Sequence, residues 1–248
     1  MKKTLFKFWI IILSCFMVLS NASLLAYSED ISDNEKNDIA NSFRYTDGET
    51  REGHSMSLFL RSAVDSSWPQ DSKAIAKGID VSTHNEKIDW RRVKQSGVDY
   101  AIIRCGYGTN ETSQDDKRWE ENVKGCVENN IPYGVYLYSY ADTVAKASSE
   151  ADHAIRLLQG KKLSYPVYYD LEEYAVRNKV SKTGIGDIAE TFCNKLSAKG
   201  YTVGIYASKD WFTNYLTDSR FSSWTKWVAQ YNSTCTYTGT YDMWQCSS

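Results

Sequence analysis

From Lys77 onward the chain repeats one alternation: a run of apolar and aromatic residues, then a stretch with helical periodicity. The runs are "KGIDVS" (77–82), "YAIIRCGYG" (100–108), "PYGVYLYSY" (132–140), "PVYYDLE" (166–172), "YTVGIYAS" (201–208) and "KWVAQY" (226–231). Between them lie "DWRRVKQSG", "DDKRWEENVKGCVENN", "VAKASSEADHAIRLLQG", "GDIAETFCNKLSAKG" and "KDWFTNYL". Gly97, Gly160 and Gly200 fall just past helix ends, where a left-handed cap is expected. Strands alternating with helices predict βαβ units and a parallel sheet. Strands that are apolar almost throughout are covered on both faces, which favours a closed barrel over an open doubly wound sheet. Neither G-x-G-x-x-G after the first strand nor G-x-x-x-x-G-K occurs, so a nucleotide-binding sheet has no support. After "KWVAQY" no helix follows. "CTYTGTYDMWQC" (235–246) reads as a hairpin, so the last strands are expected to be antiparallel.

Within this pattern "YPVYYDLEEY" (165–174) is the odd member: a core strand that runs into carboxylates. Unpaired carboxylates are costly in a core. In a parallel barrel, though, the C-terminal strand ends form the active-site mouth. Asp170 and Glu172 stand two residues apart, so they share one side of the strand, with Cα atoms roughly 6.6 Å apart. Glu173 falls on the other side. Asp80 in "GIDVS" sits at the same end of the first strand. The three acids converge on a mouth expected to be lined by Tyr107, Tyr138, Tyr206 and Trp244. Tyr231 and Gln245 complete the expected substrate-binding set. Crowded carboxyls separate in pKa, leaving one protonated beside an ionised neighbour. Glycoside hydrolysis needs that division: a proton donor for the leaving oxygen and an anion for the developing cation. The structural alternative is that Asp170 and Glu172 pair with a buried Arg such as Arg104.

Other chemistries find less support. The three His (54, 84 and 153) show no H-E-x-x-H or Cys/His spacing for a metal. His84 follows the first strand and reads as a loop residue, His153 as structural within a helix; His54 has no assigned role. Cys105 lies in an apolar strand with nothing to lower its pKa, which argues against a Cys nucleophile. Chitinase-like barrels also end a strand in D-x-E but carry a further Asp where this chain has Tyr168. No cofactor is expected. The net charge is −2 and no basic run follows the N-terminus, which argues against a nucleic-acid partner.

The N-terminus reads as a signal peptide over 1–22: "MKK", then "LFKFWIIILSCFMVLS", then "SNA", with cleavage after Ala22. Ala26 is a second candidate cleavage point. Lys7 interrupts the apolar run and argues against a permanent span; "ILSC" ending at Cys15 only faintly resembles a lipoprotein box. Residues 23–76, rich in Ser, Asp, Asn and Glu from residue 27, read as a disordered spacer or pro-segment. The expected product is secreted and free of the membrane. Of the cysteines left after Cys15 (105, 126, 193, 235 and 246), Cys235 and Cys246 flank the expected hairpin and are candidates for a bridge.

"GIDVSTHNEKIDW", "IIRCGYG", "DDKRWEENVKGC", "IPYGVYLYSYA", "PVYYDLE", "WVAQY" and "YDMWQ", in this order, resemble the glycoside hydrolase family 25 lysozymes over 77–248. The resemblance implies a TIM-like (β/α)5β3 barrel. It also implies a monomeric enzyme that acts on bacterial peptidoglycan glycan strands, cutting the β-1,4 bond from N-acetylmuramic acid to N-acetylglucosamine. By the family's pattern Glu172 would be the general acid. Asp170 would stabilise the substrate's 2-acetamido group or the cationic intermediate, and Asp80 would support both from the groove floor. The attacking group stays open between an enzyme carboxylate and the substrate's acetamido oxygen. The family continues past "WQ" into a Gly-rich turn and a final strand bearing another Asp. A sequence ending at Ser248 is therefore expected to lack that strand and leave the first strand with an unpaired edge.

Overall fold

A computed structural model describes residues 73–247. The expected signal peptide, Cys15, His54 and the expected spacer up to residue 72 lie outside the described residues. Seven strands follow in chain order: β1 (Gly78–Val81), β2 (Tyr100–Tyr107), β3 (Tyr133–Tyr138), β4 (Val167–Asp170), β5 (Val203–Ser208), β6 (Thr225–Ala229) and β7 (Met243–Gln245). They form one sheet in the order β1 to β7, and every neighbouring pair is parallel. Helices occupy the first five connections: α1 (Trp90–Gln95), α2 (Trp119–Glu128), α3 (Val144–Leu158), α4 (Tyr174–Lys179) with α5 (Lys182–Ser197), and α6 (Lys209–Asn214). This is the TIM-like α/β architecture expected, five βα units followed by two further strands.

Alternation along the strands sorts side chains into two cores. Outward residues such as Ile79, Ile103, Val135, Tyr169 and Ile205 pack under the helices in the larger one. The helices supply matching faces. In α5, Ile185, Ile188, Ala189, Phe192 and Leu196 recur at helical spacing and are buried. Its Ser181 cap accepts the Gly184 N–H. Phe192 stacks on Tyr169 with ring centroids 3.8 Å apart, tying β4 to α5. Inward residues form the second core, an aromatic lumen of Ile102, Tyr168, Tyr206 and Trp227 with Tyr100, Tyr136 and Tyr231 against it. Small residues make room for those rings: a Cβ on Gly204 would stand 2.5 Å from the Tyr168 ring and 2.3 Å from Thr225.

Three expectations need correction. Residues 235–246 are not a hairpin. Residues 232–242 hold no strand, and β7 runs parallel to β6. The Tyr- and Thr-rich stretch has β propensity, yet Tyr237 and Tyr241 instead pack against the outer core. Cys235 and Cys246 are free, half-buried thiols rather than a bridge. Finally, the stretch read as one helix from Asp115 begins only at Trp119, which leaves Asp115 and Asp116 in a loop.

Among the described residues β1 and β7 are the two edges of the sheet, with no ladder between them. A side chain spans the interval: Gln245 Nε2 donates to Asp80 Oδ2 at 2.9 Å. No helix among the described residues is long and apolar enough to cross a membrane.

Candidate active site

The C-terminal strand ends surround a cavity of about 60 Å³, lined by Asp80, Asp170 and Glu172 together with Tyr138, Tyr206 and Gln245. That is several times the space one water needs. Register explains the convergence. Asp170 lies level with Tyr138 on β3 and Tyr206 on β5, and Tyr206 in turn with Trp227 on β6. Alternation past the strand end then turns Leu171 outward into the larger core and Glu172 inward. Leu171 N–H still bonds to Tyr206 O at 2.9 Å, so the extended backbone continues to the acid.

Asp170 is 2% exposed and its Oδ1 receives no hydrogen bond. Burial pushes its carboxyl well above the usual carboxylate range; the charge of Glu172 adds to that, and the Arg104 cation opposes it. Asp80 is raised by burial to about 6, against the Gln245 hydrogen bond. The Gln245 amide is oriented by two phenols: Tyr206 OH at 2.7 Å and Tyr231 OH at 3.2 Å both donate to its Oε1. This leaves Nε2 as the donor to Asp80.

Of the expected substrate-binding set, Tyr138, Tyr206 and Gln245 line the cavity and Tyr231 stands behind Gln245. Trp244 does not line it. In a three-residue strand, Gln245 facing in puts Trp244 on the other side, where its Nε1 donates to Gln230 O at 2.8 Å. Tyr107 does not line it either; its ring meets Tyr140 edge-on at 6.2 Å, and Tyr140 lies 5.0 Å from Tyr138. Glu173 is not idle. Its Oε1 caps α4 by accepting Ala175 N–H at 3.1 Å, and its Oε2 accepts Tyr138 OH at 3.3 Å.

Sequence reasoning missed Ser82, Asn85, Tyr136 and Trp227 in the wall. Tyr136 was legible, being two residues before Tyr138 on the same strand face. Arg104 lines the cavity as well, and its Nε forms a salt bridge with Asp116 Oδ2 at 2.8 Å. A register shift in β2 between Arg104 and Gly106 lets the following loop fold back. Gly106 is required there, because a Cβ would stand 2.7 Å from the His153 ring and 2.8 Å from Gln114 O.

His153 is fully buried, with Nδ1 3.0 Å from Gly108 O and Nε2 2.8 Å from Asp115 Oδ1, a structural placement. His84 is lowered to about 4 by burial and by Arg104. Cys105 is buried and its thiol pushed up, which disfavours a thiolate. Among the described residues no group of three or more His, Cys, Asp or Glu is arranged to hold a metal ion.

Paired acids at the mouth of a parallel α/β barrel, beside aromatic side chains and without a thiolate, define a glycosidase-type site. Residues 79–248 match the family model for glycosyl hydrolases family 25, and the chain belongs to that family. The autolytic lysozyme of Clostridium acetobutylicum is 26% identical over 155 residues, covering 62% of this chain and 45% of that protein. The chain thus spans less than half the length of that relative. The modular autolysin LytC from Streptococcus pneumoniae, solved with a synthetic peptidoglycan ligand, is 30% identical with a TM-score of 0.61, covering 69% of this chain and 42% of that one. A family 25 glycosyl hydrolase from Bacillus anthracis shares the fold at 20% identity, with a TM-score of 0.64 over 72% of this chain and 82% of that one.

Proposed function

We propose that the chain is a secreted, monomeric muramidase that hydrolyses the β-1,4 bond between N-acetylmuramic acid and N-acetylglucosamine in bacterial peptidoglycan. The observation that carries this reading is the convergence of Glu172, Asp170 and Asp80 on one cavity at the strand ends. Family membership and the autolysins it resembles point to the same substrate. Glu172 gives its proton to the leaving glycosidic oxygen. Asp170, with Oδ1 free of protein donors, receives the acetamido N–H of the substrate or faces the developing oxocarbenium charge. Asp80, steadied by Gln245, holds the floor beneath them. The order "MKK", apolar run, "SNA" supports export.

Release of reducing sugar from purified peptidoglycan tests the proposal, with muramic acid expected at the new reducing end. Binding of peptidoglycan with no reducing sugar from the wild-type chain would replace it with a non-catalytic glycan-binding role.

A further inference from the structure

Trp227 is 3% exposed, belongs to the inner aromatic core and lines the cavity that holds the acids. Its indole N–H is buried and has no hydrogen-bond partner. The indole N–H groups of Trp90 and Trp119 share that condition, but those rings lie under the helices in the outer core. Of these three, Trp227 alone borders the cavity. A buried donor without an acceptor is costly, and native chains seldom keep one without a use. A Phe would fill the lumen without that cost.

The surroundings hold the ring in place. It meets the rings of Tyr206 at 4.5 Å, Tyr168 at 5.3 Å and Tyr136 at 6.1 Å, each at a steep angle. Register sets Asp170, Tyr206 and Trp227 level on the successive strands β4, β5 and β6. Two strand spacings of about 4.8 Å therefore separate the backbones of Asp170 and Trp227. Asp170 lines the same cavity, and its buried Oδ1 receives no hydrogen bond. One level of the wall thus carries an unmet donor and an unmet acceptor. A carboxyl keeps an accepting oxygen whether it is charged or protonated, so this pairing does not depend on the ionisation of Asp170.

We propose that Trp227 is a specificity-determining residue, whose indole N–H donates to the carbonyl oxygen of the substrate's 2-acetamido group while Asp170 accepts the N–H of the same group. This deepens, and rests on, the muramidase reading given above. A trans amide is planar, with its N–H and C=O directed to opposite sides. One amide lying between the two strands therefore faces both groups. A sugar with a free, charged amine offers donors only and leaves the Trp227 N–H unmet. The site accordingly selects N-acylated sugars over N-deacetylated ones.

The test uses the full chain carrying Glu172→Gln, so that glycan is bound without turnover. The probes are a soluble tetrasaccharide of alternating N-acetylglucosamine and N-acetylmuramic acid, and the same tetrasaccharide after N-deacetylation. Calorimetry gives the dissociation constants, and NMR follows the Trp227 indole proton, assigned through its own side-chain correlations. The acetylated probe should bind more tightly and move that proton downfield. The deacetylated probe should leave it in place. Adding Trp227→Phe should weaken the acetylated probe about 3–10-fold, the worth of one hydrogen bond, and leave the deacetylated one unchanged. Lost packing would weaken both alike. An unmoved indole proton in a parent chain that binds the acetylated probe would overturn the proposal. So would equal losses for the two probes in a folded Trp227→Phe chain, and either result would leave Trp227 a packing residue. The NMR arm needs no substitution at Trp227, so it decides even where Trp227→Phe fails to fold. A parent chain that binds neither probe would instead count against the muramidase reading, and this inference would fall with it.

Discussion

Two buried carboxylates sit on opposite faces of the same sheet, and they are provisioned differently. Glu150, on α3, is fully buried against the outer face. Its oxygens accept from Ser139 Oγ at 2.8 Å, from Tyr140 N–H at 2.9 Å and from the Tyr169 hydroxyl. Asp170 is the very next residue after Tyr169 but turns inward, and its Oδ1 has no donor. Both are raised by burial, Glu150 to about 7 and Asp170 well above the carboxylate range. Burial alone therefore does not mark a functional acid. The supply of donors does: a completed shell makes Glu150 part of the scaffold, and an incomplete one leaves Asp170 a place for something that is not protein.

The largest effect expected on either side is catalytic. Glu172→Gln should lower peptidoglycan hydrolysis by about 10²–10⁴-fold, the usual worth of a general acid, with the melting temperature nearly unchanged. Wild-type turnover in that variant would mean the proton comes from elsewhere. Asp170→Asn should be comparably damaging to rate. It should leave stability equal or higher, because a neutral amide replaces a buried carboxyl whose charged form burial and Glu172 already disfavour.

Glu150→Ala should show the reverse pattern. It strands the Ser139, Tyr140 and Tyr169 donors, each costing about 1–3 kcal/mol if left unsatisfied. A loss of roughly 2–5 kcal/mol by denaturant titration is expected, with any rate loss following from movement of the Tyr138–Ala141 loop. If Glu150→Ala unfolds no more readily than Asp170→Asn, the distinction between the two acids fails.

The next prediction concerns pH. Burial raises the Glu150 carboxyl from its ordinary 4.5 to about 7 in the folded chain, so the native state holds an extra proton between those values. Its contribution to stability is complete below about 4.5 and is lost as pH rises through 7, by roughly 3 kcal/mol at most. Asp80, raised from 3.8 to about 6, acts in the same direction. Urea midpoints should therefore decline between pH 4.5 and 7, and Glu150→Gln should decline less steeply. Equal slopes would show that Glu150 does not carry the effect.

The smallest effect is assigned to Trp244, which was expected in the substrate-binding set and lies outside the cavity lining. Trp244→Phe loses the bond to Gln230 O, which is worth about 1 kcal/mol. It should leave KM and kcat for peptidoglycan unchanged, as a side chain turned away from the cavity would. A raised KM would return Trp244 to the substrate-binding set.

What could be read from the sequence follows from periodicity. Strand runs of uniform apolarity pointed to the parallel sheet, and the two-residue repeat placed Asp170 and Glu172 on one side. The same repeat, applied to "MWQ", would have turned Trp244 away from Gln245. Asp116 was harder. It stands in a polar run that looks like a helix start, and its role depends on a register shift around Gly106 that periodicity does not contain. The region 232–242 misled for a related reason: Thr and Tyr suit strands, but what they do there is set by the outer core they pack against.

The bond between Gln245 and Asp80 joins residues 165 apart in sequence, whereas neighbouring strands meet across a single connection. Contacts between near neighbours in the chain form first, and those that close the longest loops form late. Asp80 thus reaches its finished surroundings only when the two edges of the sheet come together. A site arranged this way is completed only as folding ends, and a partly folded chain would carry every described strand and still lack the Asp80 floor proposed above for catalysis.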